Sequence, residues 1–346
     1  MQNLKRRFSV ALCKKYFILP LIALLSLLFV AQHSIPGESS SSSSPTVYVV
    51  GGHSDGVMNH IYKACYWKDG VLTTLSSERS IASGITVVNG SVYIAGTNYG
   101  KACYWKDGVL IPLSSNGYMS AATDMTIVNG TVYVAGYYEE RNIEKACYWK
   151  DGEQTTLSSG QSVAFAITVA NGIVYVAGAI GGDKDNIVGS ACYWKDGVLT
   201  RLTSNAQNIP GPATDITVVN GALYVTGHFA QACYFKDGKL ISLSSDFSDG
   251  TTGITVVNGT VYVAGVYSGG APGNKACYWK DGVQTTFSLG SSASTSGIDV
   301  ANGSVYVAGH YYGRIYKACY WKDEIPTDLP VPPMSYSITR AIAVVQ

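Results

Sequence analysis

The stretch "KACYWKDG" at residues 63–70 packs a thiol, two aromatic rings, two amines and a carboxylate into eight positions, and it returns at residues 101–108, 145–152 and 275–282. Variants begin at Ser190, Gln231 and Lys317, so the motif cysteines are Cys65, Cys103, Cys147, Cys192, Cys233, Cys277 and Cys319. Repeated thiols raise two chemistries. A disulfide requires Cα atoms within about 7 Å, and zinc requires Cys or His side chains that converge on one point. The cysteines come one per repeat, at spacings of 38, 44, 45, 41, 44 and 42 residues. Equivalent strands of neighbouring repeats lie on the order of 10–15 Å apart, since sheets pack about 10 Å face to face. Seven is also an odd number. All seven are expected as free, buried thiols, Cys being among the most buried residue types.

Other residues with chemical potential are fewer. His53, His60, His228 and His310 are spread over three repeats, which does not favour the convergence that a metal or an acid–base group needs. Asp124 and Asp215 occupy equivalent positions at the start of a recurring "ITVV"-type segment, with Asp299 one residue further in. Carboxylates there suit a general acid/base pair or a cation, and they also suit a turn. Asp183 and Asp185 alternate in "GGDKDN" as in calcium loops but lack the downstream carboxylate. No nucleophile motif, phosphate loop or metal spacing appears, so neither cofactor nor metal is expected.

The elements that carry these residues follow from a second recurring segment, "ITVVNGSVYIAG" at residues 85–96 and its relatives at 125–136 and 254–265. One unit reads as four short strands, "ITVV", "VYVAG", "ACYW" and "VLTTL". Asn-Gly joins the first pair and Asp-Gly the last, and both dipeptides accept the positive φ that a type I′ hairpin demands. Four antiparallel strands in about 42 residues, repeated around an axis, is the pattern of a β-propeller. The chain enters in mid-unit, with "TVYVVGG" at residues 46–52 matching a second strand, and ends on "TRAIAVVQ" at 339–346, which matches a first strand. The fold class is therefore all-β: a seven-bladed propeller closed by pairing the C-terminal strand with the N-terminal three, which leaves no open edge.

The "VYVAG" strand, followed by an aromatic strand and a tight turn, resembles the repeat of kelch-type propellers, and the whole resembles kelch-like repeats of exported bacterial proteins. Gly51-Gly52 supplies the family's double glycine once, while Trp67 and its equivalents lie on the third strand rather than the fourth. "YWKD" also resembles the YWTD box of six-bladed receptor propellers, from which the blade count and the Lys depart. The resemblance implies a propeller of four-stranded blades and transfers no catalytic residue.

The N-terminus differs from the rest. Five basic residues up to Lys15 precede an uncharged run at residues 16–31 and then "QHSIPGESSSSSSP", the layout of a secretory signal. The run spans roughly 24 Å as a helix, shorter than a hydrocarbon core of about 30 Å. Residues 1–31 are expected to be a signal peptide or an N-terminal membrane anchor, 32–45 a Ser-rich linker, and 46–346 the propeller. The expected location is extracytoplasmic, with a membrane tether through residues 16–31 if the segment is retained. Beyond it the chain has 19 Lys+Arg against 23 Asp+Glu, a formal −4, which argues against nucleic acid as a partner.

Strand alternation puts Cys65 and Trp67 on one face and Ala64, Tyr66 and Lys68 on the other, as an inter-blade core needs. The tight turns gather at one end of the ring, so the variable loops gather at the other, around the channel mouth. Function is expected there: a protein, peptide or carbohydrate ligand bound without catalysis by Tyr137, Tyr138, His310, Tyr311 and Tyr312, with Asp124 and Asp215 beside the channel. Two alternatives stay open, a glycan-active hydrolase or lyase using those carboxylates and a structural or adhesive surface protein.

Overall fold

The protein, a computed structural model, is described for residues 44–346 apart from 55, 57–60, 114–118, 182–188, 205–206, 209–210, 228, 230, 246–248, 269–272 and 288. The expected signal or anchor lies outside the described residues. So do His60, His228, Asp183 and Asp185. Among the described residues, no helix is long and apolar enough to cross a membrane.

Seven four-stranded antiparallel sheets form the blades of a β-propeller. Blade 1 is the closing blade. Its innermost strand is the C-terminal Ser337–Val345, paired with Thr46–Ser54, then Tyr62–Lys68 and Val71–Thr74. Blades 2 to 7 follow in order, with innermost strands Ser80–Val88, Ser120–Val128, Ser162–Ala170, Ala213–Val219, Gly250–Val257 and Ser292–Ala301. A two-stranded hairpin, Thr203–Ser204 with Gln207–Asn208, lies between blades 4 and 5.

The turns have the predicted backbone. Asn89 and Gly90 have φ of 51° and 79°, and Asp69 and Gly70 have 48° and 80°, the consecutive left-handed pair of a type I′ turn. Blade 7 departs from the pattern, because Glu324 occupies the glycine position at φ 73°.

The Asp of each Asp-Gly turn does more than shape the turn. Asp69 Oδ1 accepts from Val47 N at 2.9 Å while Asp69 N donates to Val47 O. The same reciprocal pair recurs in the other six blades, from Asp107 with Val92 to Asp323 with Val305. The Lys before each Asp is exposed and lies over the second-strand Tyr of its own blade. Lys68 Nζ is 5.5 Å from the Tyr48 ring centre, and all seven blades repeat this contact.

Between blades the two faces of the third strand interlock as alternation requires. Cys147 and Trp149 of blade 3 are fully buried against Ala95, Ala102 and Tyr104 of blade 2. Full burial of one such apolar side chain is worth roughly 1.5–3 kcal/mol, and the interface recurs around the ring. In blade 5 the smaller Phe235 stands in the tryptophan position, and Phe229 packs edge-on against it at 5.7 Å. The seven motif cysteines are free and buried. Burial pushes every one of these thiols up, Cys103 and Cys233 to about 12, which keeps them protonated and unreactive.

The innermost strand of every blade carries a β-bulge at one position. The bulge presses a first-strand carbonyl onto the glycine of "VYVAG". A Cβ on Gly136 would sit 2.0 Å from Ala121 O and 2.8 Å from the Trp149 ring, so the glycine is required by packing on both sides. A bulge re-aims one side chain, here toward the axis. The seven bulged residues are Ser83, Thr123, Phe165, Thr214, Thr252, Ser296 and Arg340, and together they line a channel cavity of about 200 Å³.

Candidate functional site

The channel and its mouth hold two different sets of residues. In the channel, Asp124 Oδ2 accepts from Ile167 N of the next blade at 3.0 Å. Asp215 accepts from Ile216 N and, across the blade boundary, from Ile254 N at 2.7 Å. Asp299 does the same with Val300 N and with Val344 N of the closing strand. The three carboxylates therefore staple blade 3 to 4, 5 to 6 and 7 to 1. The strand register corrects one expectation: Gly297, paired with Ala308, is the equivalent of Asp124 paired with Ala135, so Asp299 lies two residues further along, not one. Counting back from the Asn-Gly turns gives the same offset, five residues to Asp124 and three to Asp299. Nor do Asp124 and Asp215 stand at the mouth; both line the channel cavity. Burial pushes Asp124 up to about 7, against the pull of its backbone hydrogen bonds, with the nearby Asp215 charge adding to the rise. Asp215 is pushed up to about 6 by burial.

Above the channel, on the loop end of blades 1 to 3, lies a pocket of about 550 Å³. Blade 1 contributes Tyr62 from its third strand and Arg340 from its innermost strand. Blade 2 adds Arg79 and Tyr99, and blade 3 adds Tyr137, Glu139 and Glu144, over an apolar floor that includes Ile81 and Ile338. The irregular ends of the strands bring these together, since none of the three blades holds more than part of the set. Tyr99 is 63% exposed at the rim.

Arg340 belongs to both cavities. Among the described residues its guanidinium has neither an ion-pair nor a hydrogen-bond partner. Arg340 is exposed to solvent within the cavities. Partial desolvation by the surrounding walls lowers its pKa, opposed by the Tyr62 hydroxyl, and it acts electrostatically on His310. Its electrostatic neighbours are thus mouth residues rather than the channel carboxylates. On the opposite wall, Glu140 is paired with Lys145 outside the pocket. Glu144 accepts from Gln161 Nε2 at 3.0 Å. The Glu139 carboxylate has no hydrogen-bond partner among the described residues, although its backbone N donates to Met119 O.

The expected site residues divide. Tyr137 is in the pocket. Tyr312 is 41% exposed beside Tyr316, 5.1 Å between ring centres, and His310 meets Tyr316 edge-on at 5.8 Å. Burial and the Arg340 charge push His310 down to about 4, so it is neutral, with Nε2 against Ser294 Oγ at 3.0 Å. Tyr62 couples to Tyr316, Tyr336 and Arg340, so this blade 7 cluster adjoins the pocket. Tyr138 and Tyr311 differ from expectation. Their strands run on to Glu140 and Tyr312, so alternation turns both onto the tryptophan face, where they are buried. Tyr138 Oη meets Thr156 Oγ1 at 3.1 Å, and Tyr311 Oη donates to Asp328. His53 is buried against Thr74.

The sequence reading missed Arg79, Tyr99 and Arg340. Arg340 had a signal: aligned by their bulges, the seven innermost strands place Ser, Thr or Phe at this position six times and Arg once.

The blades, the closing strand and the loop-end pocket define the class, a seven-bladed β-propeller. No protein-family profile and no curated protein matches the sequence. Solved structures are similar in shape. One is a puromycin-hydrolyzing peptidase of Mycobacterium tuberculosis, at 9% identity and a TM-score of 0.50, over 79% of this chain and 50% of that one. Another is the β-propeller domain of the Trilobed protease from Pyrococcus furiosus, described as having an open velcro topology, at 13% identity and 0.49 over 84% and 98%. A third is the nidogen/laminin complex, at 8% identity and 0.42 over 87% and 98%. The likeness to the peptidase is one of fold, and this chain spans about half of it.

Proposed function

We propose that the protein is an exported, kelch-like propeller that binds a ligand in the loop-end pocket of blades 1 to 3 and does no chemistry on it. The observation that carries this reading is the pocket itself: three tyrosines, with ionic groups that have no ion pair among the described residues, around a cavity within the usual 300–1,000 Å³ of ligand sites. Tyr supplies a flat apolar face with a polar tip, which suits protein, peptide and sugar surfaces. The channel carboxylates support the scaffolding side of the reading, because each engages backbone N–H groups across a blade boundary. A glycan-active hydrolase is the second reading, favoured by an Asp124 carboxyl near 7, the range a general acid/base needs.

A screen against peptide and glycan arrays with the intact protein and with Tyr99→Ala tests the site. Tyr99 is a rim residue, so the variant is expected to fold and to lose its hits by tenfold or more. An unchanged binding profile would remove the pocket from consideration, and turnover of a bound glycan that Asp124→Asn abolishes would establish the second reading.

A further inference from the structure

We infer that the pocket takes a short peptide with both termini free, its carboxylate on Arg340 and its ammonium on Glu139 and Glu144. This rests on the pocket being a binding site, as proposed above, and goes on to name what it selects.

The charges of the pocket are segregated. Arg340 comes from blade 1 and Arg79 from the connection into blade 2, whereas Glu139 and Glu144 come from blade 3. Blade 2 lies between, so a ligand that meets both walls must cross it. Arg340 is a guanidinium without a partner among the described residues, at the junction of two cavities. A planar fork of this kind matches one carboxylate in a bidentate pair. On the far wall the Glu139 carboxylate has no partner among the described residues, and Glu144 keeps one oxygen beyond its bond to Gln161. Those carboxylates call for a donor, and best for a cation.

Arg340 is open to solvent in the pocket. A neutral glycan laid over it would strip its water and supply no counter-charge, which costs free energy for a cation. An acidic glycan would answer Arg340 but bring no cation to Glu139 and Glu144. A dianion would be repelled by the same pair. The interior of a long chain offers neither terminus. A zwitterionic peptide answers both walls, and three residues extend about 10 Å, in keeping with a cavity of about 550 Å³. Its side chains would lie on Tyr62, Tyr99 and Tyr137 and on the apolar Ile81, Ile338 and Met119.

The test is calorimetric titration of the intact protein with a pool of tripeptides randomised at each position, in four forms: both ends free, N-acetylated, C-amidated and doubly blocked. Free peptides are expected to bind, and each blocked end is expected to weaken binding tenfold or more. Arg340→Gln should lower affinity for the free form and erase the difference between carboxylate and amide, while leaving the N-terminal preference intact. Glu139→Gln with Glu144→Gln should do the reverse. A thermal melt of each variant reports folding, and the retained preference at the opposite end shows that the pocket is whole. Equal binding of free and blocked peptides would overturn the inference. So would binding of an acidic or neutral oligosaccharide without any peptide, an outcome that leaves the pocket as a binding site. Failure of every array ligand to respond to Tyr99→Ala would instead defeat the pocket itself.

Discussion

At the turn end of the ring every blade does the same thing. The Asp of the Asp-Gly turn closes a reciprocal pair with the second strand, and the neighbouring Lys covers the Tyr of that strand. At the loop end, on the same strands, each blade differs, and the groups of blades 1 to 3 that face the pocket are not used up internally. Among the charged groups repetition and satisfaction go together, since the turn Asp and Lys find their partners within their own blade. The repeated tryptophans do not follow this, and the indole N–H groups of Trp105, Trp194, Trp279 and Trp321 are buried without a partner among the described residues. The contrast teaches where to look in a repeat protein. Asp151 and Arg340 are both charged and both near a strand end, yet Asp151 is committed to Val132 and Arg340 is committed to nothing in the described chain.

Breaking the repeated side should cost stability and leave binding alone. The largest effect is expected from Trp279→Ala, which empties a fully buried site between blades 5 and 6. Chemical denaturation should show a loss of about 3–5 kcal/mol, with ligand affinity of the folded protein unchanged because the pocket lies on blades 1 to 3.

The channel carboxylates come next. Asp124 rises from an ordinary 3.8 to about 7 on folding, so ionising it costs the folded state. Its contribution is most favourable below about pH 4, falls as pH climbs to about 7, and is flat above. The full shift corresponds to at most about 4 kcal/mol, and channel water reduces this. Asp124→Asn keeps an acceptor for Ile167 N and is expected to be more stable than the parent at pH 8 by about 1–3 kcal/mol. Melts across pH 3–8 check it: the difference should vanish at the acid end, and a constant difference would refute the burial argument.

Asp151→Ala removes one latch and the left-handed tolerance of its turn. A loss of about 1–2 kcal/mol is expected, again without effect on binding, whereas Asp151→Asn should keep most of the stability. The smallest effect is a gain. Glu324 stands at φ 73° where the other six Asp-Gly turns have glycine, so Glu324→Gly should raise stability by about 0.5–1 kcal/mol, read from the denaturation midpoint.

Much of this architecture is legible in the chain because its rules are local. "KACYWKDG" carries its own alternation, so Cys65 and Trp67 on one face and Ala64 and Tyr66 on the other needed no neighbour to be read. The closure of blade 1 followed from one missing and one surplus strand. The pocket was legible only in part. Tyr137 lies on the strand extension beyond "VYVAG" and faces the pocket, but Tyr138 and Tyr311 could not be placed, because strand length beyond the motif decides which face they take. Asp299 stands three residues before its Asn-Gly turn and Asp124 five before its own, so their two-residue offset is written in the sequence, and the strand pairing agrees with it.

What the sequence by itself determined is the repeat: strand order, turn type, the inward Cys–Trp and Ala–Tyr faces and the free thiols. All of these depend on residues within one unit or at a fixed offset from it. What only the tertiary structure decided is the meeting of Tyr62, Arg79, Tyr99, Glu139, Glu144 and Arg340. They come from three blades and from both ends of the propeller chain. Their distances depend on how the ring closes and on a bulge that turns Arg340 toward the axis. That is a sum over many weakly specified angles, and no local pattern records it.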